Sequence, residues 1–312
     1  MRNKTIDFSL EDGQEYLKNA VTLTADADLI GDEVCIVGDT FSALEQLPKE
    51  SFDLLLVDPP YNLFKDYGAS KFSAISSEDY VAYTEDWLKK CIPLLKRNAS
   101  IYICCDWKCS NEIYSVLRKY ATVKNRITWQ REKGRGAKNN WKNCIEDIWY
   151  AVLDDKDFTF NLSAVKQRRR VLAPYKVGNK PKDWVETSDG KYRDTCPSNF
   201  WDDISVPYWS MAENTAHPTQ KPEKLIAKLL LASTNAGDKV LDPFAGSLTT
   251  AVTAKKLGRK FTVIEKNPQY VAWGMQRLEK AKVDKKIQGY EDGVFWERNA
   301  KLALKKKKVE NK

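Results

Sequence analysis

The chain has 312 residues, 42% apolar and 30% charged, which is room for one large or two modest domains with a sizeable core and excludes a disordered or fibrous protein. Mean hydropathy is −0.55, and the longest apolar runs, at 54–57 and 229–232, fall far short of the roughly 18 residues of a spanning helix, which excludes an integral membrane role. The 51 basic and 43 acidic residues leave a formal charge of +8, a lean toward polyanionic partners that gains meaning where it is localised.

Residues 1–30 form an N-terminal arm, with acids soon after the start and no apolar core, so it does not read as a secretory signal and a cytoplasmic address is expected. Seven scattered cysteines, an odd number in a chain too long to need a disulfide framework, fit reduced thiols. Short apolar runs predict strands over 34–37 and 53–57. The capping sequence Ser76-Ser77-Glu78-Asp79 opens a helix expected to reach residue 95, and a strand is predicted over 100–105. Cys104-Cys105-Asp106-Trp107-Lys108-Cys109 has no paired CxxC and no nearby histidine, so buried thiols at a strand end are expected there and no metal. A helix over 109–120 follows, and strands over 127–130 and 148–153 bracket a basic loop.

The positive charge is concentrated. Residues 124–142 hold seven basic residues, Arg131, Arg135 and Lys138 among them, against Glu132 alone; residues 166–182 hold seven more, including Arg168, Arg169 and Arg170, and no acid. From 156 to 216 periodicity is lost among four prolines and many aromatics, which suggests an inserted module. Order returns at Lys221-Pro222, where Leu225, Ile226, Leu229 and Leu230 mark one helical face before Gly237. A strand over 239–241, a helix over 249–257, a strand over 260–264 and a helix over 268–281 complete a βαβα unit, followed by a basic tail over 284–312.

Three segments carry chemistry. The strand at 239–241 runs into Asp242-Pro243-Phe244-Ala245-Gly246-Ser247, small residues that let a ligand approach the backbone where a helix begins. Glu265 ends the next strand, where an acid in a doubly wound fold accepts both ribose hydroxyls of a nucleoside; the second glycine of a dinucleotide fingerprint is missing, which disfavours NAD or FAD. Asp58-Pro59-Pro60-Tyr61 follows the strand at 53–57. Its prolines fix a turn and remove two N–H donors, leaving carbonyls and a carboxylate to receive hydrogen bonds and Tyr61 as a stacking face, which suits a flat base with an exocyclic amino group. His217-Pro218-Thr219-Gln220-Lys221-Pro222 holds the only histidine, beside two prolines and a helix start, where packing or capping is the ordinary role.

In this order the three segments resemble the S-adenosylmethionine-dependent DNA amino-methyltransferases, in the circularly permuted beta group, over residues 31–282. The resemblance implies a doubly wound, mixed but mostly parallel α/β sheet of Rossmann-like type, split into a catalytic part at 31–155 and a cofactor-binding part at 217–283 around a target-recognition insert at 156–216. It implies that Asp58 and the Pro59 carbonyl hold the target amino group within Asp58-Pro59-Pro60-Tyr61 while Tyr61 stacks on a flipped base. Asp242, Phe244, Ala245, Gly246 and Ser247 would line the cofactor pocket, Glu265 would bind the ribose, Asp39 would contact the cofactor adenine, and Thr219, Gln220 and Lys221 would lie near its methionine end.

Asp-Pro-Pro-Tyr accompanies adenine in that family, and Ser-Pro-Pro-Tyr cytosine N4, so N6-adenine methylation of double-stranded DNA is the favoured expectation and N4-cytosine or an RNA substrate the alternative. The chain contains no Pro-Cys dipeptide, which argues against cysteine-nucleophile chemistry at cytosine C5. Arg131, Arg135, Lys138, Arg168, Arg169 and Arg170 are the expected DNA contacts. A homodimer and a cognate restriction endonuclease belong to the partners the resemblance suggests. One residue departs from the pattern: Leu248 stands where the family has glycine. Pointing outward it is benign; pointing inward it weakens cofactor binding or leaves a DNA-binding protein without catalysis.

Overall fold

The computed structural model describes residues 3–63, 65–66, 71–72, 74–131, 138–171, 175–178, 180–187 and 190–298. Arg135 and residues 299–312 of the basic tail therefore lie outside the described residues.

A nine-stranded sheet organises the chain. Its main strands are β1 (Glu33–Val37), β2 (Phe52–Val57), β3 (Leu95–Cys105), β4 (Thr122–Gln130), β5 (Ile145–Val152), β6 (Lys239–Asp242) and β7 (Lys260–Glu265). Across the sheet the order is Val21–Thr22, β1, β7, β6, β2, β3, β5, β4 and Phe200–Trp201. All pairs from the first edge to β3 are parallel, whereas β5 runs antiparallel to both β3 and β4. This is the doubly wound, mostly parallel sheet expected from the alternating pattern. Strand β2 is almost wholly buried, with Leu54, Leu55, Leu56 and Val57 at 1% exposure or less, as befits a central strand covered on both faces.

The helices α1 (Thr40–Leu44), α2 (Ser77–Cys91) and α3 (Ser110–Leu117) touch one another in sequence, and α4 (Glu223–Ser233), α5 (Thr249–Lys256) and α6 (Pro268–Val283) form a second set. Their starts follow the sequence signals: the Ser76 side chain accepts from the Asp79 N–H at α2, and Pro268 stands at the first turn of α6. Helix α4 stops at Ser233, four residues before Gly237, and every one of its residues is buried rather than one face alone. Among the described residues no helix is long and apolar enough to cross a membrane.

The segment at 156–216 is more regular than its sequence suggests. Gly190–Thr195 pairs antiparallel with Val185–Thr187 on one side and Gln167–Arg170 on the other, and the sheet is completed by Val294–Trp296 and Tyr290–Glu291. Residues 290–296, read from the sequence as part of a basic tail, thus belong to the same sheet as the insert. The parallel pairing of Phe295 with Gln167 joins segments 128 positions apart, a contact that no local pattern announces. Asp203, at the end of the insert, docks it onto α4 through buried ion pairs with Lys224 at 2.6 Å and Lys228 at 2.8 Å.

Candidate active site

The permuted strand order brings the two chemical motifs together. Strands β6 and β2 are neighbours in parallel register, Leu54 beside Val240 and Leu55 beside Leu241. Asp242 and Asp58 therefore emerge at the same carboxyl edge, where open α/β sheets bind ligands. One cleft there is lined by Asp39, Asp58, Phe244, Gly246, Glu265 and Lys221, among others. It gathers all of the residues expected to hold the reacting base and the cofactor.

On the cofactor side, Gly246 has φ +52°, a backbone conformation open to glycine, and a Cβ there would come within 3.0 Å of His217 Nε2. His217 is wedged between this turn and Tyr270, whose ring meets it edge-on at 4.4 Å; its Nδ1 accepts from the Thr219 N–H. The histidine is thus a packing residue that also borders the cleft. The Glu265 carboxylate accepts the N–H groups of Gly246 at 2.9 Å and Asn267 at 2.8 Å. Burial outweighs those bonds and pushes its carboxyl up to about 7. Asp242, 3% exposed, is likewise pushed by burial to about 7 while accepting from Thr250 Oγ1 and the Phe244 N–H. Asp39 caps α1 by accepting from the Ser42 N–H. The Gln220 side chain is spent inside the fold, between the Thr215 N–H and hydroxyl and the Glu213 carbonyl.

This half of the cleft fits a nucleoside-bearing cofactor. It offers a bare backbone turn, a buried carboxylate to receive a ribose diol, a second carboxylate at Asp39 and the Phe244 ring. Leu248 does not line it. That residue has φ +58° and ψ +32°, is 1% exposed, and packs toward Gly274 of α6. The outward placement is the one the sequence leaves as the benign case.

On the catalytic side, the Tyr61 hydroxyl donates to Asp58 Oδ1 at 2.8 Å, and Tyr80 fixes the turn by donating to the Pro60 carbonyl at 3.0 Å. Tyr61 is buried, its ring 5.3 Å from the Lys221 ammonium, so it is less open than a stacking face read from sequence. Lys221, expected at the methionine end, lines the cleft, donates to Asp58 Oδ2 at 2.6 Å and lies 3.3 Å from Glu146 Oε2. Burial opposes its charge, but the Asp58 and Glu146 carboxylates outweigh that and hold the ammonium well above its ordinary value. Burial, with the same two carboxylates, keeps the Tyr61 phenol protonated. Glu146 escaped the sequence reading; the only sign is a pair of acids, Glu146-Asp147, opening an otherwise apolar strand.

The expected DNA contacts divide. Arg131 borders the site and pairs with Glu146 Oε1 at 2.8 Å, and Lys138 is exposed. Arg168 is held by Asp194 through two hydrogen bonds of 2.7 and 2.8 Å, Arg169 bonds to Gln167 Oε1, and Arg170 is exposed. Cys104 and Cys105 at the end of β3 and Cys109 before α3 are buried thiols, and burial raises all three.

The chain is similar to known proteins. The DNA methylase (N6/N4 methyltransferase) family model matches residues 52–276. The DNA adenine methyltransferase YhdJ of Escherichia coli K12 is 37% identical over 252 residues, covering 79% of this chain and 82% of that protein. The type II methyltransferase M.HpaI of Haemophilus parainfluenzae is 34% identical over 250 residues, covering 80% and 74%. Among solved structures, the M1.HpyAVI complex with S-adenosylmethionine superposes with a TM-score of 0.54 at 23% identity, over 78% of this chain and 98% of that one. The cytosine-N4-specific PvuII methyltransferase gives 0.58 at 19%, over 81% and 90%, and at such identities the likeness speaks for the fold. With its motifs on one cleft and the family match spanning most of its length, the chain belongs to the DNA methylase family.

Proposed function

We propose that the protein transfers a methyl group from S-adenosylmethionine to the N6 amino group of adenine within a specific duplex sequence. The observation that carries this reading is the shared edge of β2 and β6, which sets the Asp58 carboxylate and the Pro59 turn beside the turn at 242–247. S-adenosylmethionine supplies a methyl group on a sulfonium sulfur. An adenine amino nitrogen is a weak nucleophile because its lone pair is delocalised into the ring. Asp58 and the Pro59 carbonyl accept its two hydrogens, localise that pair and aim it at the methyl carbon, a gain from orientation and fixed charge. The base reaches them only out of the duplex. No covalent bond to the protein is required, and the buried thiols stay outside the reaction.

Adenine, rather than cytosine, is favoured by the aspartate at position 58 and by the named activity of the relative at 37% identity. Asp39, Phe244, Gly246, Ser247 and Glu265 hold the cofactor, with Thr219 at its far end. The basic surface of the insert and the loop after β4 track the DNA backbone. A cytoplasmic address, a cognate endonuclease cutting the same sequence, and a homodimer complete the proposal, the last read by light scattering.

The test is transfer of labelled methyl to unmethylated duplex DNA and to RNA, followed by nucleoside digestion, with Asp58→Ala as control. Label in N6-methyladenine from DNA, lost in the variant, is the expected result. Label in N4-methylcytosine, or in RNA alone, overturns the substrate, and binding of DNA without transfer overturns the activity.

A further inference from the structure

One buried group on the catalytic side, Glu146, makes no contact with the reacting atoms in the proposed transfer. Glu146, 6% exposed, sits at the start of β5 with each carboxylate oxygen committed to a cation: Oε1 to Arg131 at 2.8 Å and Oε2 to Lys221 at 3.3 Å, with the Tyr61 hydroxyl 3.4 Å away. Lys221 in turn spans Glu146 and Asp58, so that Arg131, Glu146, Lys221 and Asp58 form a chain of alternating charge from the end of β4 to the catalytic carboxylate.

Resting on the proposed methylation, we infer that Glu146 is a positioning residue that holds the Lys221 ammonium so that Asp58 is released to the target amino group. Asp58 has an oxygen given to Lys221 and the other to the Tyr61 hydroxyl. A substrate amine approaching Asp58 competes with both donors. Lys221 rests nearer Asp58, at 2.6 Å, and Glu146 gives it a second anion 3.3 Å away, toward which the ammonium shifts as the amine arrives without losing its counter-charge. The balance then holds through the reaction. The amino nitrogen gives its lone pair to the methyl carbon, the carbon–sulfur bond breaks with its pair staying on sulfur, and the nitrogen sheds one proton to Asp58 and onward to water. While Asp58 carries that proton, Lys221 and Glu146 remain a neutral pair. Without Glu146, the same step strands a buried ammonium. The titratable groups facing this carboxylate include the Lys221 ammonium, the Asp242 carboxyl, and the neutral Tyr61 phenol and Cys104 thiol, with Glu146 on the far side of Lys221. Arg131, directly after β4, fixes the other oxygen of Glu146.

Glu146→Gln keeps the shape and removes the charge. In steady-state assays on duplex DNA carrying the mapped site, kcat is expected to fall about 10- to 100-fold, with KM for S-adenosylmethionine unchanged because Glu146 lies on the base side. The acid limb of the kcat profile moves to lower pH, since the Lys221 charge beside the proton acceptor is less compensated. Glu146→Asp, which keeps the charge, restores the limb to its wild-type pH. Calorimetric binding of S-adenosylmethionine and the fluorescence of 2-aminopurine at the target base, read without cofactor, stay at wild-type levels. A Gln variant with wild-type kcat, a loss confined to KM, or an Asp variant with the limb displaced as in Gln overturns the inference. If Glu146→Gln does not fold, Glu146→Ala is read in its place by the same kcat, KM and acid limb, and the same outcomes decide. Wild-type enzyme that fails to methylate adenine refutes the parent reading instead, so the two failures are told apart.

Discussion

Leu248 fills the notch left by Gly274: a Cβ on Gly274 would lie 2.3 Å from Leu248 Cγ. The left-handed backbone at Leu248 costs a non-glycine residue about 1–2 kcal/mol, and burial of the leucine side chain against α6 offsets it. The two positions are therefore expected to behave as a pair. Gly274→Ala alone should destabilise the protein by about 1–3 kcal/mol through overpacking, although alanine is the better helix former. Combined with Leu248→Gly, the alanine should cost far less, and urea unfolding of the four proteins in the cycle reads the coupling. Cofactor affinity should be the same in Leu248→Gly and wild type, because the leucine faces α6. A large change in affinity would show that it reaches the cleft after all.

Burial leaves Glu265 titrating near 7, and the cofactor's ribose hydroxyls can donate only to its ionised form with full strength. Affinity for S-adenosylmethionine should thus rise with pH up to about 7 and then level. Glu265→Gln should bind more weakly and lose most of that slope; what remains belongs to Asp242, also held near 7. The sign for folding is the reverse. Both carboxyls bind a proton more tightly in the folded chain than at their ordinary 3.8 and 4.5, so their contribution is greatest below pH 4 and is lost as pH rises through 7. Calorimetric titration and urea unfolding at pH 5 and pH 8 separate the two effects.

The parts of the site that could be read from the sequence are those whose chemistry is local. Asp58-Pro59-Pro60-Tyr61 and Asp242 to Ser247 are strand-to-turn segments, and a turn at the carboxyl end of a strand declares its place in an α/β fold. Glu146 does not declare itself: it stands 85 positions from Tyr61, and the antiparallel pairing of β5 with β3 brings it beside Tyr61 and Lys221. The insert hid for the same reason. Its strands are short, and the Gln167–Arg170 strand needs Val294–Trp296, far along the chain, for its second partner. Helix α4 read as one-faced because Lys224 and Lys228 look like surface residues until Asp203 supplies their shared anion.

Arg168 and Arg170 should differ in their effect on DNA. Arg168 is held by Asp194 and lies 5.5 Å from the Trp296 ring, so it serves the sheet of the insert first. Arg170 is exposed. Arg170→Ala is expected to weaken DNA binding about equally on all sequences and to lower the salt slope by about 1, as for the loss of one phosphate contact. Arg168→Ala should move the unfolding midpoint more than the slope. Binding isotherms at several salt concentrations distinguish them, and equal slopes for both variants would remove the distinction.

Asp203 carries two lysines, Lys224 and Lys228, the latter 2% exposed and 4.9 Å from the Trp201 ring. Burial lowers Lys228 to about 8 despite the carboxylate. Removing the anion leaves two buried ammonium groups without compensation, so Asp203→Asn should destabilise the protein by about 3–5 kcal/mol. The loss should depend on pH with a definite sign. Lys228 holds its proton less tightly in the folded chain than at its ordinary 10.5, so wild-type stability gains as pH rises from about 8 toward 10.5. In Asp203→Asn the folded chain sheds that proton at still lower pH, and the deficit relative to wild type should shrink on the alkaline side. Adding Lys228→Met to Asp203→Asn should recover part of the stability at pH 7, because an unpaired buried charge is replaced by an apolar chain of similar length. Urea unfolding of the three proteins at pH 7 and pH 9 measures both effects; a deficit that is the same at both values, and no recovery by the methionine, would show that Asp203 acts by shape and not by charge.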